Sequence, residues 1–273
     1  LTIFEKRVQK KDLPFFMNLM EKLNQKKIIC PKPLKSKDGK HLSIIKNKPA
    51  SIVTFLSGED KINLNYKNCF DIGKSIARFH KATAKIKLYR ENSMSINKLN
   101  GLLKSIKFKS SKISTKLKPT LNICLKNIRS QWPKKLPSGI IHGDLFIDNI
   151  FFNKNKFSGF IDFYFSSNDY LMYEIAICIN ALCFDKKKDS FKINHKKVKN
   201  LIDGYETIRT FTKNEKNALN ILCRGAALRY LLTRIYDYFN TPKTALVKIK
   251  DPNEYFQKLI FHNNLNNYKD YYK

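Results

Sequence analysis

Glycine and proline are scarce in this 273-residue chain, at nine each, which excludes a collagen-like or low-complexity architecture. No two or three of the glycines have the G-x-G-x-x-G or G-x-x-x-x-G-K spacing, so neither a dinucleotide fingerprint nor a P-loop lies in it. Long apolar runs are also missing. Tyr170 to Phe184, the most apolar stretch, is broken by Glu174 and Asn180 and is shorter than the roughly 20 apolar residues that span a bilayer. No membrane partner is expected. Glu5, Lys6 and Arg7 stand where the apolar core of a secretory signal would lie. The six cysteines, Cys30, Cys69, Cys124, Cys178, Cys183 and Cys223, include no CxxC pair, and the five histidines are as dispersed. Metal held by nitrogen or sulfur needs such ligands clustered and is not expected; the cysteines read as reduced core residues of a cytoplasmic protein.

Acidic residues are few: 22 Asp and Glu against 53 Lys and Arg give a net charge of +31. One reading is a phosphate-binding surface, for nucleic acid or an anionic membrane. Against it, the excess is nearly all Lys, spread from end to end among abundant Asn, without an Arg-rich arm or an aromatic-plus-basic motif. Lys and Asn share A-rich codons, so compositional drift at solvated positions is the expected cause, and no specific nucleic-acid partner is expected. Apolar residues make up 42% and aromatics 12%, enough for a substantial core in one large domain or two lobes.

Leu1-Thr2-Ile3 reads as the tail of a strand, and with no initiator Met an upstream piece is expected. Asp12-Leu13-Pro14 opens a helix with a capping carboxylate and Pro in the first turn; Phe16, Leu19, Met20 and Leu23 give its buried face. A hairpin is expected about Lys37-Asp38-Gly39-Lys40, then a buried strand over Ala50 to Leu56 that Gly58 breaks. A second helix presents Cys69, Phe70, Gly73, Ile76, Ala77 and His80. Glu91 to Lys118 reads as loop and loosely packed helix without visible chemistry, residues 140 to 162 as strands, and the remainder as helices. Leu171, Ile175, Cys178 and Leu182 form one helical face. Leu219 through Tyr238 forms another that places Arg234 on the apolar side.

The densest signal is Ile140-Ile141-His142-Gly143-Asp144, followed by Asn149, a turn at Asn153 to Lys156, and Asp162 at the end of the next strand. H-x-D-x-x-x-x-N with a following strand-terminal Asp matches the phosphoryl-transfer apparatus of kinase-like enzymes. In that arrangement Asp144 accepts the proton of an attacking hydroxyl. Asn149 offers a neutral oxygen to Mg2+, and Asp162 supplies the charged ligand that bridges the metal to the ATP phosphates. The rival reading makes Asp144 and Asn149 turn residues that satisfy local backbone groups. His142 is read as holding the loop by hydrogen bonds, with direct catalysis as the alternative, and Asp148 as a loop residue.

The segments CPKPLKSKDG, ASIVTFLSG, IIHGDLFIDNIFF, FSGFIDFYFSSNDYLMYEIAICINALCF, RGAALRYLLTRIYDYFNTP and KDPNEYFQKLIFH resemble bacterial homoserine kinases of the aminoglycoside phosphotransferase and choline kinase superfamily. HGD and IDF are shared across that superfamily, whereas ICINALCF and RGAALRYLLTRIYD point to the homoserine kinases. The resemblance runs over nearly the whole chain. It implies an α+β, two-lobed protein kinase-like fold: a small β-rich N-lobe over 1–57, truncated at its start, and a larger, mostly helical C-lobe over 58–273. It also implies ATP- and Mg2+-dependent phosphorylation of the L-homoserine hydroxyl, a step towards threonine. Asp144 is then the base, and Asn149 and Asp162 the metal ligands. Adenine would bind the backbone of Thr54, Phe55 and Leu56.

Two departures stand out. Thr2 occupies the place of the usual third-strand cation, so Lys6, Arg7 or another group must serve the phosphates; Glu21 is either the partner of that cation or an exposed helix residue. The phosphate-covering loop of such a lobe could only precede Leu1. Homoserine is a zwitterion, and Asp169, Asn180, Arg224, Arg229 and Arg234 are its candidate ligands. Arg234 stands out because an unpaired buried guanidinium is costly, although a structural ion pair would explain it equally. Asp169 and Glu174 fall where relatives carry two acids and read mainly as anchors, Glu174 standing where Asp is usual. Two rivals stay open: a choline- or aminoglycoside-type small-molecule kinase, and an inactive kinase-like binding module. The sequence carries no signal of oligomeric state.

Overall fold

A computed structural model describes the whole chain except residues 6–7, 109–111, 243–248, 266 and 273, and the side chains of 112–115. The candidate cations Lys6 and Arg7 thus lie outside the described residues. Strands β1 (Thr2–Ile3), β2 (Ser43–Ile45) and β3 (Lys48–Ser51) form an antiparallel sheet in the order β1-β3-β2, with Thr2 opposite Ser51 and Ile45 opposite Lys48. The hairpin turn is Lys46-Asn47, not Lys37–Lys40. Both residues have positive φ, 45° and 62°, the conformation that a two-residue connection with the right twist requires. Lys37–Lys40 forms a separate loop in which the Ser36 amide donates to the Lys40 carbonyl. Nor does a buried strand run to Leu56: regular pairing ends at Ser51, residues 52–54 continue against 32–34, and Phe55 is 91% exposed.

The expected first helix is α1 (Leu13–Gln25), with Phe16, Leu19, Met20 and Leu23 all buried. Asp12 does not cap it. Its backbone is already helical, and its carboxylate accepts from Arg90 Nε at 2.8 Å; a partly buried ion pair has taken the group a cap would use.

The rest of the chain is mostly helical: α2 (Tyr66–Thr83), α3 (Leu99–Ser105) and α4 (Lys112–Ser130) come first. Strands β4 (Ser138–Ile141), β5 (Ile150–Asn153), β6 (Lys156–Phe160) and β7 (Ser167–Tyr170) follow, then α5 (Leu171–Leu182). The hairpin β8 (Phe184–Lys187) and β9 (Ser190–Ile193) leads into α6 (His195–Glu206), α7 (Lys213–Asn240) and α8 (Asn253–Asn263). Asn65 and Thr212 cap α2 and α7 with reciprocal capping boxes, which fixes where both begin. α5 buries every residue from Met172 to Asn180 rather than one face, as a helix apolar all round must. All six cysteines are free, and Cys124 alone is not fully buried. Among the described residues no helix is long and apolar enough to cross a membrane.

α2 and α6 interlock through two glycines. A Cβ on Gly73 would lie 1.9 Å from the Leu201 carbonyl oxygen, and one on Gly204 would lie 2.0 Å from that of Phe70. Neither backbone can yield without separating the helices. Gly204→Ala is therefore expected to cost at least about 1–3 kcal/mol of overpacking strain. The helical Gly101, with nothing within 4 Å of a Cβ, should gain slightly from the same change; thermal melts of the two variants check the contrast.

Candidate active site

Strand β4 pairs antiparallel with β7, Ile141 opposite Ser167, and delivers His142, Gly143 and Asp144 at its end. Gly143 has φ +79°, and a Cβ there would lie 2.9 Å from the Phe165 carbonyl oxygen, so only glycine fits the loop. A short 3-10 turn over Ile147–Asn149 feeds the β5–β6 hairpin, with Ile150 opposite Phe160. The chain then turns through Asp162 in the left-handed region (φ 61°, ψ 64°). The Ile161 amide donates to the Asn149 carbonyl at 3.1 Å, which brings Asp162 beside Asn149.

The three polar groups converge in this frame. Asn149 Nδ2 donates to the Asp144 carbonyl at 2.8 Å and lies 3.4 Å from Asp144 Oδ2, leaving its own Oδ1 unengaged among the described residues. Desolvation pushes the Asp144 carboxyl above the usual carboxylate range; the charges of Arg229 and His142 oppose this, and that of Asp162 adds to it. Asp162 itself is exposed. A backbone that merely closed a turn would not need this arrangement.

The loop is held from behind. His142 donates from Nε2 to the Ile161 carbonyl at 2.8 Å, joining the loop to the end of β6, which is the holding role read from the sequence. The fully buried Glu174 of α5 accepts from the backbone amides of His142 and of Gly143, the latter at 3.0 Å. His80 Nε2 lies 3.9 Å from Glu174, and burial lowers the pKa of this imidazole.

A second group of side chains lines the α7 side. Arg229 is buried, with its guanidinium 5.8 Å from the Phe165 ring centre. Burial works against its charge, but Tyr230, Tyr173 and Asp144 outweigh that and raise its pKa. Asp169 accepts from Asn92 Nδ2 at 2.6 Å and from the Tyr170 amide at 2.7 Å; desolvation nonetheless raises its carboxyl. The charge of Arg229 acts on both Asp144 and Asp169. Neither Asn92 nor Tyr230, whose hydroxyl lies 3.2 Å from Asp144 Oδ1, was visible in the sequence. Asn92 sits in a patternless Lys-, Ser- and Asn-rich stretch, and Tyr230 read as one more apolar position of α7.

The other three candidate ligands have structural partners or neighbours of their own. Asn180 is fully buried and ties helices together, donating to the Ala176 and Cys223 carbonyls at 3.0 and 3.1 Å, while its own carbonyl accepts from Lys258 Nζ at 2.7 Å. Arg224 acts electrostatically on Cys124, His262 and Tyr271. Arg234 proves to be the structural pair: it donates to Glu254 at 2.7 Å and to the Asp251 carbonyl at 2.8 Å. Glu21 pairs with Lys35 at 3.1 Å and His41 at 3.3 Å.

The segment Thr54, Phe55, Leu56 runs against the β5–β6 hairpin. The Leu56 side chain closes on Gly159, and Glu59 exchanges backbone hydrogen bonds of 3.0 and 2.8 Å with Phe152. Among the described residues no backbone bond engages Phe55 or Leu56, whereas the Thr54 amide donates to Lys32. A cavity of about 310 Å3 lies behind the hairpin among Lys27, Lys74, Arg78, Phe157 and Phe160, and none of the converging acids lines it.

Comparison with known proteins places the chain in a family. Residues 1–197 match the model of the phosphotransferase enzyme family. Homoserine kinase of Allorhizobium ampelinum is 43% identical over 262 residues, covering 96% of this chain and 81% of the relative. That of Paramagnetospirillum magneticum is 42% identical over 268 residues, with coverage of 96% and 81%. Among solved structures, an amicoumacin kinase in complex with AMP-PNP, Ca2+ and Ami superposes with a TM-score of 0.71 at 13% identity, over 94% of this chain and 78% of that one. A spectinomycin phosphotransferase in complex with ADP and spectinomycin gives 0.59 at 14%, over 96% and 82%. The chain thus has the two-lobed α+β fold of the aminoglycoside phosphotransferase and choline kinase type, and it belongs to the phosphotransferase enzyme family and, within it, to the homoserine kinases.

Proposed function

We propose that this chain moves the γ-phosphoryl group of ATP onto the side-chain hydroxyl of L-homoserine in the cytoplasm, a step towards threonine. The observation that carries this is the meeting of Asp144, Asn149 and Asp162 at adjoining loop ends, in a chain 43% identical to a homoserine kinase over 96% of its length. The lobes divide near residue 57, with 1–57 supplying the sheet and α1, and 58–273 the catalytic loop and substrate side. Adenine fits against the backbone groups of Phe55 and Leu56, which no backbone bond engages among the described residues, with Thr54 fixed by Lys32.

The donor set suits a hard divalent cation. One exposed carboxylate and one unengaged amide oxygen are what Mg2+ takes from a protein when phosphates and water complete its shell; among the described residues there is no cluster of three or more His, Cys, Asp or Glu that would make an all-protein cage. Asp162 and Asn149 Oδ1 would hold Mg2+, and the ion would neutralise charge on the transferring phosphoryl group. Asp144 takes the proton of the homoserine hydroxyl as its oxygen bonds to the γ-phosphorus and the bond to the bridging oxygen of ADP breaks. Its raised carboxyl makes it a stronger base than a solvated Asp. Arg229 meets the substrate carboxylate, and Asp169, oriented by Asn92, meets the ammonium.

Steady-state assays with ATP, Mg2+ and a panel of hydroxyl acceptors test the substrate; turnover of choline or an aminoglycoside without turnover of homoserine overturns it. Asp169→Asn removes one charge-assisted contact to the ammonium, worth about 1.5–3 kcal/mol. The KM for homoserine should rise roughly ten- to a hundredfold, while the KM for ATP stays within about twofold.

A further inference from the structure

Asp144 sits on a loop, and a carboxylate's terminal torsion is broad and roughly two-fold, so backbone position alone does not fix which oxygen faces an acceptor. Asn149 bonds the Asp144 backbone at 2.8 Å but reaches its Oδ2 only at 3.4 Å. The shorter side-chain contact comes from Tyr230, whose hydroxyl lies 3.2 Å from Asp144 Oδ1 and 3.3 Å from the Gly143 carbonyl oxygen. The residue is 7% exposed, and its ring is wedged edge-on against Phe146, with centres 4.7 Å apart, and tilted against Tyr255 at 5.2 Å. The hydroxyl is therefore placed by packing rather than by a mobile stem.

We propose that Tyr230 is a positioning residue for phosphoryl transfer: its hydroxyl clamps Asp144 Oδ1 and presents Oδ2 to the acceptor hydroxyl. The inference rests on Asp144 being the base, as argued above. Burial holds the Tyr230 phenol well above its ordinary pKa even though Arg229 pulls it down, so it stays a donor and does not compete for the substrate proton. The bond is long for a hydroxyl donating to a carboxylate, and such contacts tighten once substrate is bound. Consecutive residues of α7 thus act on one carboxylate, Arg229 through its charge and Tyr230 through a hydrogen bond. Nothing in the ring packing requires the hydroxyl. Among the described residues the neighbouring Tyr255 hydroxyl is buried without a hydrogen-bond partner, and it is the natural control.

The test is Tyr230→Phe in the full chain, alone and combined with Asp144→Asn, measured with ATP, Mg2+ and homoserine. In the otherwise unaltered enzyme kcat should fall about ten- to thirtyfold, with both KM values within about twofold. In the Asp144→Asn background the same change should cost less than about twofold, because an aimed base is no longer there to lose. Tyr255→Phe should leave kcat unaltered. Should Tyr230→Phe fold poorly, single-turnover rates normalised to the bound-ATP fraction report the chemical step of the folded molecules. Unchanged kcat, an equal loss in both backgrounds, or a loss confined to KM overturns the clamp. Asp144→Asn alone at wild-type rate would instead sink the base assignment beneath it.

Discussion

Asp144→Asn is expected to lower kcat by about 10²- to 10⁴-fold, the range a positioned general base contributes. The replacement keeps the shape and the shorter of the two side-chain hydrogen bonds: the amide oxygen still accepts from Tyr230, while the NH2 takes the place of the oxygen that Asn149 Nδ2 reaches only at 3.4 Å. What disappears is the proton acceptor. Nucleotide affinity should change little, since Asp162 and Asn149 Oδ1 are untouched. Titration with a non-hydrolysable ATP analogue beside steady-state rates separates the two quantities. A variant that turns over at the wild-type rate would return Asp144 to the status of a turn residue.

Glu174→Gln should be the most damaging change away from the reacting atoms. Both carboxylate oxygens of this fully buried side chain accept backbone amides of the catalytic loop, from His142 and Gly143. Glutamine offers one oxygen and turns an NH2 towards the other amide. A hydrogen bond to a charged acceptor is worth about 1.5–3 kcal/mol, and a stranded buried donor costs about 1–3 kcal/mol. A loss of at least about 3 kcal/mol is expected, which at the scaling for chains of 150–250 residues lowers Tm by roughly 6–12 °C. kcat should drop with it, because Gly143 adjoins the base. A melt and a rate unchanged by Glu174→Gln would show that the loop is held by other contacts.

The sequence made the centre legible because its chemistry is local. His142, Asp144, Asn149 and Asp162 lie within one strand-loop-hairpin unit, where spacing and geometry are nearly the same thing. The long helices were legible for a related reason: α1 and α7 carry their burial pattern as a 3-4 repeat. Contacts between distant segments were not. Asn92 meets Asp169 across 77 positions, and Asp12 leaves its helix for Arg90 across 78. The periodicity shows Arg234 on an apolar face but not its Glu254 partner on α8. Asn180 resembled a cleft residue because it interrupts an apolar run, yet a polar group inside a helix buried on every side satisfies its hydrogen bonds with neighbouring backbones. The hairpin was misplaced because Asp38-Gly39 is the stronger turn signal, whereas Lys46-Asn47 adopts the left-handed geometry without glycine.

The helix that carries Glu174 touches no solvent between Met172 and Asn180. It behaves as a keel: the loop bearing Asp144 is bolted to the part of the molecule with least room to drift. Precision at the reacting oxygen is thereby inherited from close packing several side chains away. Within this lineage, evolutionary tinkering with the volumes of Ile175, Cys178 or Ile179 would be felt as slower turnover before it was felt as unfolding.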